Sequence, residues 1–454
     1  MGKFIVEGGN KLSGNIEVSG NKNEVLPLIS AALICDKPIK FSNVPKIGDV
    51  IDMLDIISKL GADVSPLRNG KVIIDGSNIN SSLLPYALSS RIRGSILLAS
   101  SLLIKTGKVI LPHPGGDTIG RRRIDTHFHV FKALGSTISI KNEKNGTISE
   151  CLTYTIKAPN GLKGTEIYLD EASVTATENA IIAASRARGV TTIANAASEP
   201  HVQGLCRFLN TVGVCIEGVG SNILTVYGTE QFKAAEFKIS SDYIEAGSLI
   251  SLAACTQSEL TITNIDIEFM RMILFQFSRL GIEVETSKEK RTIRIPEKQT
   301  LKVKNDLGGV IPRIEDSPWP GFPADLTSIM VVTATQSKGT CLIHEKMFES
   351  RLFFVDKLLS MRAQIVLCDP HRVVVVGPSR LYGSTMTSPD IRAGMALLIA
   401  ALAAEGTSVI QNISQIDRGY FKIDERLRSL GANISRTDHR RRKSDIREYF
   451  RNNK

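Results

Sequence analysis

The chain has 454 residues, 42% hydrophobic and 22% charged, which is long enough for about two to three globular domains. Its longest apolar runs, such as residues 394–404, fall well short of the roughly 18 to 20 residues that a membrane span requires, so no bilayer-crossing segment is expected. The formal net charge is +10, a surplus that suits anionic small molecules as well as nucleic acid.

Half of the positive surplus lies at the C-terminus. Residues 436–454 hold eight Lys or Arg against three acidic residues, an excess of five charges. A terminal basic run of this kind is typical of a solvated appendage. We therefore expect residues 438–454 to be a basic tail, with a weak anionic contact left open and nucleic acid not favoured as the main partner.

The cysteines and the N-terminus bear on the compartment. Seven scattered cysteines without a Cys-x-x-Cys pair predict neither a disulfide framework nor a zinc site. The first seven residues alternate like a strand and do not have the arrangement of a signal peptide. Both observations favour a reducing, cytoplasmic setting.

In chain order, one phrase occurs six times: an apolar helix ends in a Leu-Gly-Ala-like turn and continues into a short alternating strand. Its third residue is glycine in five copies and arginine in one: Gly61, Gly135, Gly213, Gly281, Arg362 and Gly431. These positions are 68 to 81 residues apart. Because glycine just past a helix supplies the left-handed turn that ends it, this regular spacing predicts six similar modules.

A second phrase supports the same period. Helices rich in Ala, Ser and Leu are followed by strands at residues 26–43, 95–111, 180–195, 249–264 and 395–412. Helices that are apolar on most faces are expected to be buried on most faces. We therefore expect an α/β (α+β) protein with helices inside and sheets outside. The period alone does not decide between one ring of six modules and two sets of three.

The first candidate binding segment is Ser19-Gly-Asn-Lys-Asn23. Lys22 and Asn23 stand beside the start of a helix, where free N–H groups and the helix dipole favour an anion. The plainer alternative is a turn with a solvated lysine.

The second candidate is the Pro- and Gly-rich loop of residues 111–127. It presents Asp117 and three consecutive arginines, residues 121–123, a combination suited to closing over a phosphate-bearing substrate. The alternative is a basic surface loop. His127 and His129 are spaced like strand neighbours, but no third ligand stands nearby, so no metal site is predicted.

Several modules also contain isolated arginines, most of them close to an acid in the sequence. An aspartate at position 325, in Phe322-Pro-Ala-Asp325, is expected to begin a helix and is explained equally well as its N-cap. Any single pair is explained by a structural salt bridge. Their number favours recognition of an acidic substrate, because arginine is a rigid bidentate donor that keeps its charge. The arginines concerned are Arg93, Arg351, Arg392 and Arg418.

Taken together, these motifs resemble the enolpyruvyl transferase family, and within it the members that act on a UDP-N-acetylhexosamine. The resemblance covers residues 3–434 and rests on motifs that fall in order along the chain: Gly20-Asn-Lys-Asn23, Arg93-Gly-Ser95, Pro114-Gly-Gly-Asp117 with Arg122, Asp125 and His127, Phe322-Pro-Ala-Asp325, Phe348-Glu-Ser-Arg351, Asp390-Ile-Arg-Ala393 and Ile416-Asp-Arg-Gly-Tyr420. It implies a two-domain inside-out α/β barrel with three repeated units in each domain. By this analogy residues 22–238, with the catalytic loop 111–127, form one domain, and residues 1–21 plus 239–437 form the other.

The resemblance also implies a reaction. The enolpyruvyl group of phosphoenolpyruvate is transferred by addition and elimination to the 3-hydroxyl of UDP-N-acetylglucosamine, with release of phosphate and without a cofactor or metal. This is the first committed step of peptidoglycan precursor synthesis. The catalytic residues implied are Lys22, Asp117, Asp325, Asp390 and Arg418. Those implied for phosphoenolpyruvate are Lys22, Asn23, Arg122, Arg351, Arg392 and Arg418. Those implied for the UDP-sugar are Arg93, Arg122, Arg123, Ile124, Asp125, Thr126, Ser173, Val174, Asp325 and Met347.

One departure from the family affects the chemistry. Asp117 stands where most members have a loop cysteine. Aspartic acid is mostly ionised at neutral pH, so proton donation by Asp117 requires the loop to close over it and remove water, while the arginines oppose its protonation. Fosfomycin inactivates this family by alkylating the cysteine thiol, so the sequence predicts resistance to that drug.

Four further departures leave the acceptor open: Glu24, Glu171, Tyr243 and Ser350. Glu24, beside the Lys-Asn pair, is expected to repel an anionic substrate, and Tyr243 stands where the family usually has arginine. One alternative is a divergent paralogue with another nucleotide acceptor. The others are the shikimate-pathway enolpyruvyl transferase, which the Pro-Gly-Gly-Asp loop disfavours, and a non-catalytic member of the fold that binds nucleotide or nucleic acid. The oligomeric state is not predicted.

Overall fold

The computed structural model describes residues 2–117, 119–144 and 150–437, so the predicted basic tail, residues 438–454, lies outside the described residues. The strands are β1 (Lys3–Glu7), β2 (Ser13–Glu17), β3 (Ile39–Ser42), β4 (Asp63–Val64), β5 (Val72–Asp75), β6 (Lys108–Pro112), β7 (Thr137–Lys144), β8 (Glu150–Lys157), β9 (Glu166–Tyr168), β10 (Val190–Ala194), β11 (Cys215–Glu217), β12 (Ile223–Tyr227), β13 (Ala235–Lys238), β14 (Glu259–Thr263), β15 (Glu285–Ser287), β16 (Thr292–Ile295), β17 (Arg313–Glu315), β18 (Gly339–His344), β19 (Gln364–Asp369), β20 (Arg372–Gly377), β21 (Thr385–Thr387), β22 (Thr407–Gln411) and β23 (Asn433–Thr437).

The α-helices are α1 (Lys22–Ala32), α2 (Gly48–Lys59), α3 (Tyr86–Ser89), α4 (Leu98–Thr106), α5 (Asp125–Ala133), α6 (Val174–Ala184), α7 (Pro200–Thr211), α8 (Tyr243–Cys255), α9 (Arg271–Arg279), α10 (Thr327–Gln336), α11 (Val355–Ser360), α12 (Ile391–Ala403), α13 (Ser414–Asp417) and α14 (Ile423–Arg428). Short 3-10 turns lie at Arg93–Leu97, Ile267–Met270, Leu307–Gly309, Ala324–Leu326 and Arg351–Phe354. Among the described residues, none of these helices is long and apolar enough to cross a membrane.

Six separate sheets correspond to the six predicted modules. Their strand orders are β13-β3-β5-β4, β6-β8-β7, β11-β12-β10-β9, β15-β16-β14-β2, β17-β18-β20-β19 and β21-β22-β1-β23. The helices they surround are buried nearly all round: every residue of α8 is buried, as are all but one of α12. Strands such as β22 instead bury alternate residues. Helices inside and sheets outside confirm the predicted fold class, because a helix apolar on every face requires partners on every side.

The repeated turn at each helix end has the predicted backbone. Gly61, Gly135, Gly213, Gly281 and Gly431 all have positive φ, between 87° and 109°. Arg362, the exception in the sequence, adopts the same left-handed region with φ 69°. Its guanidinium lies 4.8 Å from the centre of the Tyr382 ring, a cation–π contact that helps to offset the strain of a side chain in this conformation.

The hydrophobic side chains form two cores. The first core contains residues from 25 to 239, and the second contains residues 4–18 together with residues 243–434. The division follows from the sheets: β1 and β2 pair with β22, β23 and β14 of the second core, whereas β13 pairs with β3 of the first. The chain therefore crosses twice between the cores, near residues 19–22 and 239–242. The domain boundaries given above stay a prediction.

The two crossing segments are hydrogen-bonded to each other. The Asn21 N–H donates to the Ser240 carbonyl at 2.8 Å, and the Asp242 N–H donates to the Ser19 carbonyl at 2.9 Å. Asn21 and Asp242 also cap the N-termini of α1 and α8 with their side chains. Gly20 lies between them, where an added Cβ would come within 1.7 Å of the Asn43 carbonyl oxygen. This arrangement fixes two helix N-termini side by side at the junction of the cores.

Glu24 belongs to this junction. Its carboxyl group accepts the Ser240 N–H at 2.9 Å and the Ser240 hydroxyl at 3.1 Å, and its side chain is fully buried beside Gly204. Burial raises the pKa of Glu24 to about 7. The expectation that Glu24 repels a substrate is therefore wrong, because its carboxyl group points towards the crossing segment 239–242 and not into the cleft.

Replacing Glu24 with Gln keeps an acceptor for Ser240 and removes the titration. Because burial raises the pKa of Glu24 from 4.5 to about 7, the folded protein retains a proton that the unfolded chain loses over this range. The free energy of unfolding of the wild type should therefore fall relative to Glu24→Gln, by about 1–3 kcal/mol, as the pH rises through this range. Urea unfolding of both proteins at about pH 5 and about pH 8 measures the effect. A difference between the proteins that does not change with pH would contradict it.

Candidate active site

A cleft lies between the two cores, with an empty volume of about 1270 Å³ including the solvent at its mouth. The first core contributes the start of α1, the start of α6 and the loop before α5. The second core contributes the start of α12 and the turns at Ala324–Leu326 and Arg351–Phe354. Of the residues predicted for a site, those lining the cleft are Lys22, Asn23, Arg93, Asp117, Arg122, Val174, Asp325, Met347, Arg351, Arg392 and Arg418.

Lys22 and Arg418 come from different cores and share one carboxylate. Lys22 Nζ lies 2.8 Å from Asp49 Oδ2, and Arg418 Nε lies 2.8 Å from Asp49 Oδ1. Burial of Asp49 at the start of α2 opposes ionisation, but the charges of Lys22 and Arg418 outweigh it and lower the pKa of Asp49. Asp49 is therefore an anion that holds two cations at one wall of the cleft.

A second group of ion pairs lies in the second core. Asp325 Oδ1 is 3.1 Å from Arg351, and Asp325 Oδ2 is 3.0 Å from Arg392. Although burial opposes ionisation of Asp325, Arg392, Arg351 and Lys22 lower its pKa below the usual range. Its side chain makes no helix-capping hydrogen bond, so the N-cap interpretation is wrong. Arg392 also donates to the Tyr420 hydroxyl at 3.3 Å, which fixes its orientation.

Arg93 and Arg122 line the cleft on the side of the first core. The Arg93 guanidinium donates to the carbonyls of Arg122 and Arg123, both at 2.8 Å, and so fixes the end of the loop. Burial, with the charge of Arg122, lowers the pKa of Arg93 to about 10. Burial also lowers the pKa of Arg122, although the negative charges of Asp117 and Asp325 act in the opposite direction. Arg122 therefore faces carboxylates of both cores.

The described residues of the loop before α5, 113–117 and 119–123, contribute Asp117, Ile119 and Arg122 to the cleft. Asp117 Oδ1 accepts a hydrogen bond from Arg418 at 2.5 Å, and the Asp117 side chain is 17% exposed. On the facing segment, the Ser350 N–H donates to the Ile119 carbonyl at 3.1 Å, and Glu349 Oε2 accepts the Arg121 N–H at 3.0 Å. We call these last two contacts the loop latch. They join the loop of the first core to the second core.

The latch requires a glycine. Gly120 has φ 124°, and an added Cβ would lie 2.2 Å from Glu349 Oε2. Gly115, at the other end of the loop, would place a Cβ 1.7 Å from the Ser90 carbonyl oxygen. The glycines of this Pro- and Gly-rich loop are therefore points of close approach.

Six of the predicted residues do not line the cleft. Arg123 is exposed and pairs with Asp125 and Asp170 at 3.2 and 3.0 Å, and Thr126 donates to Asp170 at 2.7 Å. The remaining three are the buried Ile124, Ser173 at the N-cap of α6, and Asp390. Asp390 caps α12 by accepting the Arg392 N–H at 2.8 Å. Asp390 therefore stabilises the start of α12, the helix that carries Arg392.

The two histidines do not form a pair. They lie on helix α5, so residues two apart point in different directions: His127 is buried and His129 is exposed. Both ring nitrogens of His127 have partners, Thr175 Oγ1 at 3.1 Å and Asn179 Nδ2 at 2.9 Å. Within the described ranges there is no group of three or more His, Cys, Asp or Glu side chains that could hold a metal ion.

Sequence reasoning missed several cleft residues. They are Asp49, Glu178, Glu199, His201 and Trp319. Asp49 follows a glycine at the start of a helix, where aspartate is common for reasons unrelated to a site. Glu178 lies inside an apolar helix. An acidic residue in such a helix is unusual, and this was the signal in the sequence that could have identified Glu178 as a candidate.

Removing the Glu349 carboxylate should loosen the loop. Glu349→Ala deletes a charged acceptor of a backbone N–H, so we expect amide exchange in residues 113–123 to rise about tenfold. Hydrogen–deuterium exchange with mass spectrometry measures this. Glu297→Ala, which removes a surface ion pair with Lys11, is the matched control and should leave the loop unchanged. Equal loop protection in wild type and Glu349→Ala would show that the latch does not hold the loop.

Comparisons with known proteins agree with this architecture. The family model described as EPSP synthase (3-phosphoshikimate 1-carboxyvinyltransferase) matches residues 6–427. The UDP-N-acetylglucosamine 1-carboxyvinyltransferase of Treponema denticola is 50% identical over 434 residues, which cover 96% of this chain and 99% of that protein. The protein of the same name from Bradyrhizobium diazoefficiens is 51% identical over 439 residues, covering 97% of this chain and 99% of that protein.

Solved structures share the fold at lower identity. The enolpyruvyl transferase NikO from Streptomyces tendae superposes with a TM-score of 0.83 at 21% identity, covering 96% of this chain and 99% of that one. An EPSP synthase from Acinetobacter baumannii gives 0.72 at 16% identity, covering 96% and 100%. With half of its residues identical to curated relatives over nearly its whole length, the chain belongs to the EPSP synthase family of enolpyruvyl transferases.

Proposed function

We propose that this protein transfers the enolpyruvyl group of phosphoenolpyruvate to the 3-hydroxyl of UDP-N-acetylglucosamine and releases phosphate. The observation that carries the proposal is the convergence of cations from both cores on one cleft, in a chain half identical to relatives named for this reaction. Phosphoenolpyruvate has a phosphate and a carboxylate on adjacent atoms, so its recognition requires several fixed cations within one small volume.

The charge balance of the cleft favours such a donor. The cations are Lys22, Arg93, Arg122, Arg351, Arg392 and Arg418, and the acids paired with or facing them are Asp49, Asp117 and Asp325. Cations are therefore in excess when no substrate is bound. We assign Lys22, Asn23, Arg122 and Arg418 to the phosphate, and Arg351 and Arg392 to the carboxylate.

The donor exchanges partners with the acids. In the free protein, Arg351 and Arg392 lower the pKa of Asp325, which makes it a weak base. When the carboxylate of phosphoenolpyruvate takes these two arginines, that effect is reduced and Asp325 becomes more basic. It then accepts the proton of the sugar 3-hydroxyl as the oxygen attacks C2. Binding of one substrate thus activates the group that acts on the other.

A similar exchange prepares Asp117. Its carboxylate is paired with Arg418 in the closed loop, where the phosphate is proposed to bind. Phosphate binding to Arg418 releases Asp117, which then takes up a proton from solvent and delivers it to C3 as C2 is attacked. In the second step C3 loses a proton to a base and the bond between C2 and the phosphate oxygen breaks, which releases phosphate and forms the enol ether of the sugar. The part of Asp390 in this proton traffic stays a prediction.

The UDP-sugar is assigned to the wall of the first core. Val174 and Met347 line the cleft from opposite cores, with Arg93 and Arg122 above. Arg123, Ile124, Asp125, Thr126 and Ser173 lie behind this wall, and we propose that they contact the nucleotide through their backbone or after local adjustment.

Replacement of Asp117 tests the proton donor. Asp117→Ala should lower phosphate release from phosphoenolpyruvate and UDP-N-acetylglucosamine by about a hundredfold or more, because general acid catalysis typically contributes that much. Asp55→Ala, an exposed aspartate on α2 outside the cleft, is the control and should keep wild-type turnover. Equal turnover of wild type and Asp117→Ala would remove Asp117 from the mechanism. No phosphate release by the wild type would contradict the proposed function itself.

Fosfomycin provides a chemical test of the same position. The wild type has no thiol in the loop, so we expect it to keep its activity after incubation with the drug. Asp117→Cys restores the thiol and should be inactivated with time. Time-dependent loss of activity in the wild type, with a covalent adduct by mass spectrometry, would contradict the prediction.

A further inference from the structure

Two carboxyl groups on one wall of the cleft have unused hydrogen-bonding capacity. Glu178 is 1% exposed, and its buried Oε1 has no hydrogen-bond partner within the described part of the chain. Glu199 Oε1 accepts the Trp319 N–H at 3.5 Å, but Glu199 Oε2 is buried and has no partner. Both residues line the cleft. A buried polar atom without a partner is costly, so its retention at the wall of a binding cleft points to a ligand.

Their position connects them to the acceptor. Glu178 lies four residues after Val174 on α6, so both side chains project from the same face of the helix, one turn apart. Val174 belongs to the wall assigned above to the UDP-sugar, and the inference rests on that proposed function. Glu178 therefore continues the acceptor wall towards the interior of the cleft.

This wall lines the same cleft as Asp325, together with Trp319, Tyr243 and His201. The ring centres of Trp319 and Tyr243 are 6.2 Å apart, and the Tyr243 hydroxyl is 3.3 Å from His201 Nδ1. Burial, followed by the charges of Glu199 and Asp325, raises the pKa of Tyr243 well above its ordinary value. The wall of Glu178 and Glu199 thus shares the cleft with the residue proposed to bind the reacting sugar hydroxyl.

The charges decide which part of the acceptor fits. Burial, with the negative charge of Glu199, raises the pKa of Glu178 well above its ordinary value, and burial also raises the pKa of Glu199. Burial lowers the pKa of His201 to about 4, so this neighbour is a neutral imidazole near pH 7. Two carboxyl groups with no cation bound to them disfavour a diphosphate. They suit a neutral group that donates a hydrogen bond.

We propose that Glu178 and Glu199 form a subsite that binds an N–H or O–H donor on the sugar ring of the acceptor, beside the hydroxyl that reacts. The subsite positions the sugar and determines acceptor specificity. It takes no part in the transfer of the enolpyruvyl group. The two possible sources of the donor are the acetamido N–H at C2 and the hydroxyl at C4.

Substitution of Glu178 separates this role from a structural one. Glu178→Leu should raise KM for UDP-N-acetylglucosamine about ten- to a hundredfold, the effect of losing a hydrogen bond to a carboxyl group, and Glu178→Gln should raise it less because the amide keeps an acceptor. KM for phosphoenolpyruvate should change less than about threefold. The Tm of Glu178→Leu should be no lower than that of the wild type, because the variant removes a buried polar group that has no partner.

Glu245→Gln is the matched control. Glu245 is equally buried, but it accepts the Ser19 N–H at 2.7 Å, pairs with Arg426 and does not line the cleft. This control should lower the Tm and leave the acceptor KM unchanged. Turnover by the wild type tests the proposed function separately, since the subsite is judged only from differences between variants.

Acceptor analogues identify the donor. UDP alone lacks the N-acetylglucosamine ring, so its Kd should be the same for wild type and Glu178→Leu. An analogue without the C2 donor, and another without the C4 hydroxyl, should each be compared with the parent acceptor. One analogue should have a higher KM than the parent acceptor in the wild type but the same KM as the parent in Glu178→Leu. The group missing from that analogue is the one that the subsite binds. An unchanged acceptor KM in Glu178→Leu, a lowered Tm, or an equal weakening of UDP would overturn the proposal.

Discussion

The site depends on keeping mutually repelling cations in one small cleft. Lys22, Arg351, Arg392 and Arg418 are buried or largely buried, and like charges at short range destabilise a fold unless anions compensate them. Asp49 and Asp325 supply that compensation, each by pairing with two cations. The binding groups are thus fixed before a substrate arrives, which reduces the reorganisation required during the reaction.

The double crossing of the chain makes this arrangement possible. Because residues 19–22 and 239–242 are hydrogen-bonded to each other, the N-termini of α1 and α8 are held together at the boundary of the two cores. Lys22 is the first residue of α1, so its backbone belongs to the junction while its side chain reaches the cleft. Asp49 then ties it to Arg418 of the other core. The same ion pairs that we propose to position the substrate therefore also connect the two cores.

The sequence predicted the architecture well because that architecture is repeated. Glycine at five of six helix ends marked the modules, and Arg362 shows that the backbone requirement, rather than the residue, recurs. Most cleft arginines were predicted by resemblance. Side-chain direction was not predictable: Glu24 faces the crossing strand, His127 lies on a helix, and Asp390 caps α12 outside the cleft wall. Asp49 was missed because a single acid at the start of a helix carries no mark of the cations that tertiary packing brings to it, and Glu178 because a single acid in a helix carries no mark of the cleft that it lines.

The central claim is that the donor takes the cations from the acids that hold them in the free protein. The most direct measurement is a crystal structure of Asp117→Ala with phosphoenolpyruvate and the acceptor bound, and of the wild type with phosphoenolpyruvate alone. The account predicts phosphate on Lys22, Arg122 and Arg418, and a carboxylate on Arg351 and Arg392. In the wild type it also predicts that Asp117 has separated from Arg418, to which it is bound at 2.5 Å without substrate. Phosphoenolpyruvate bound elsewhere, with the pairs of Asp117 and Asp325 intact, would contradict it.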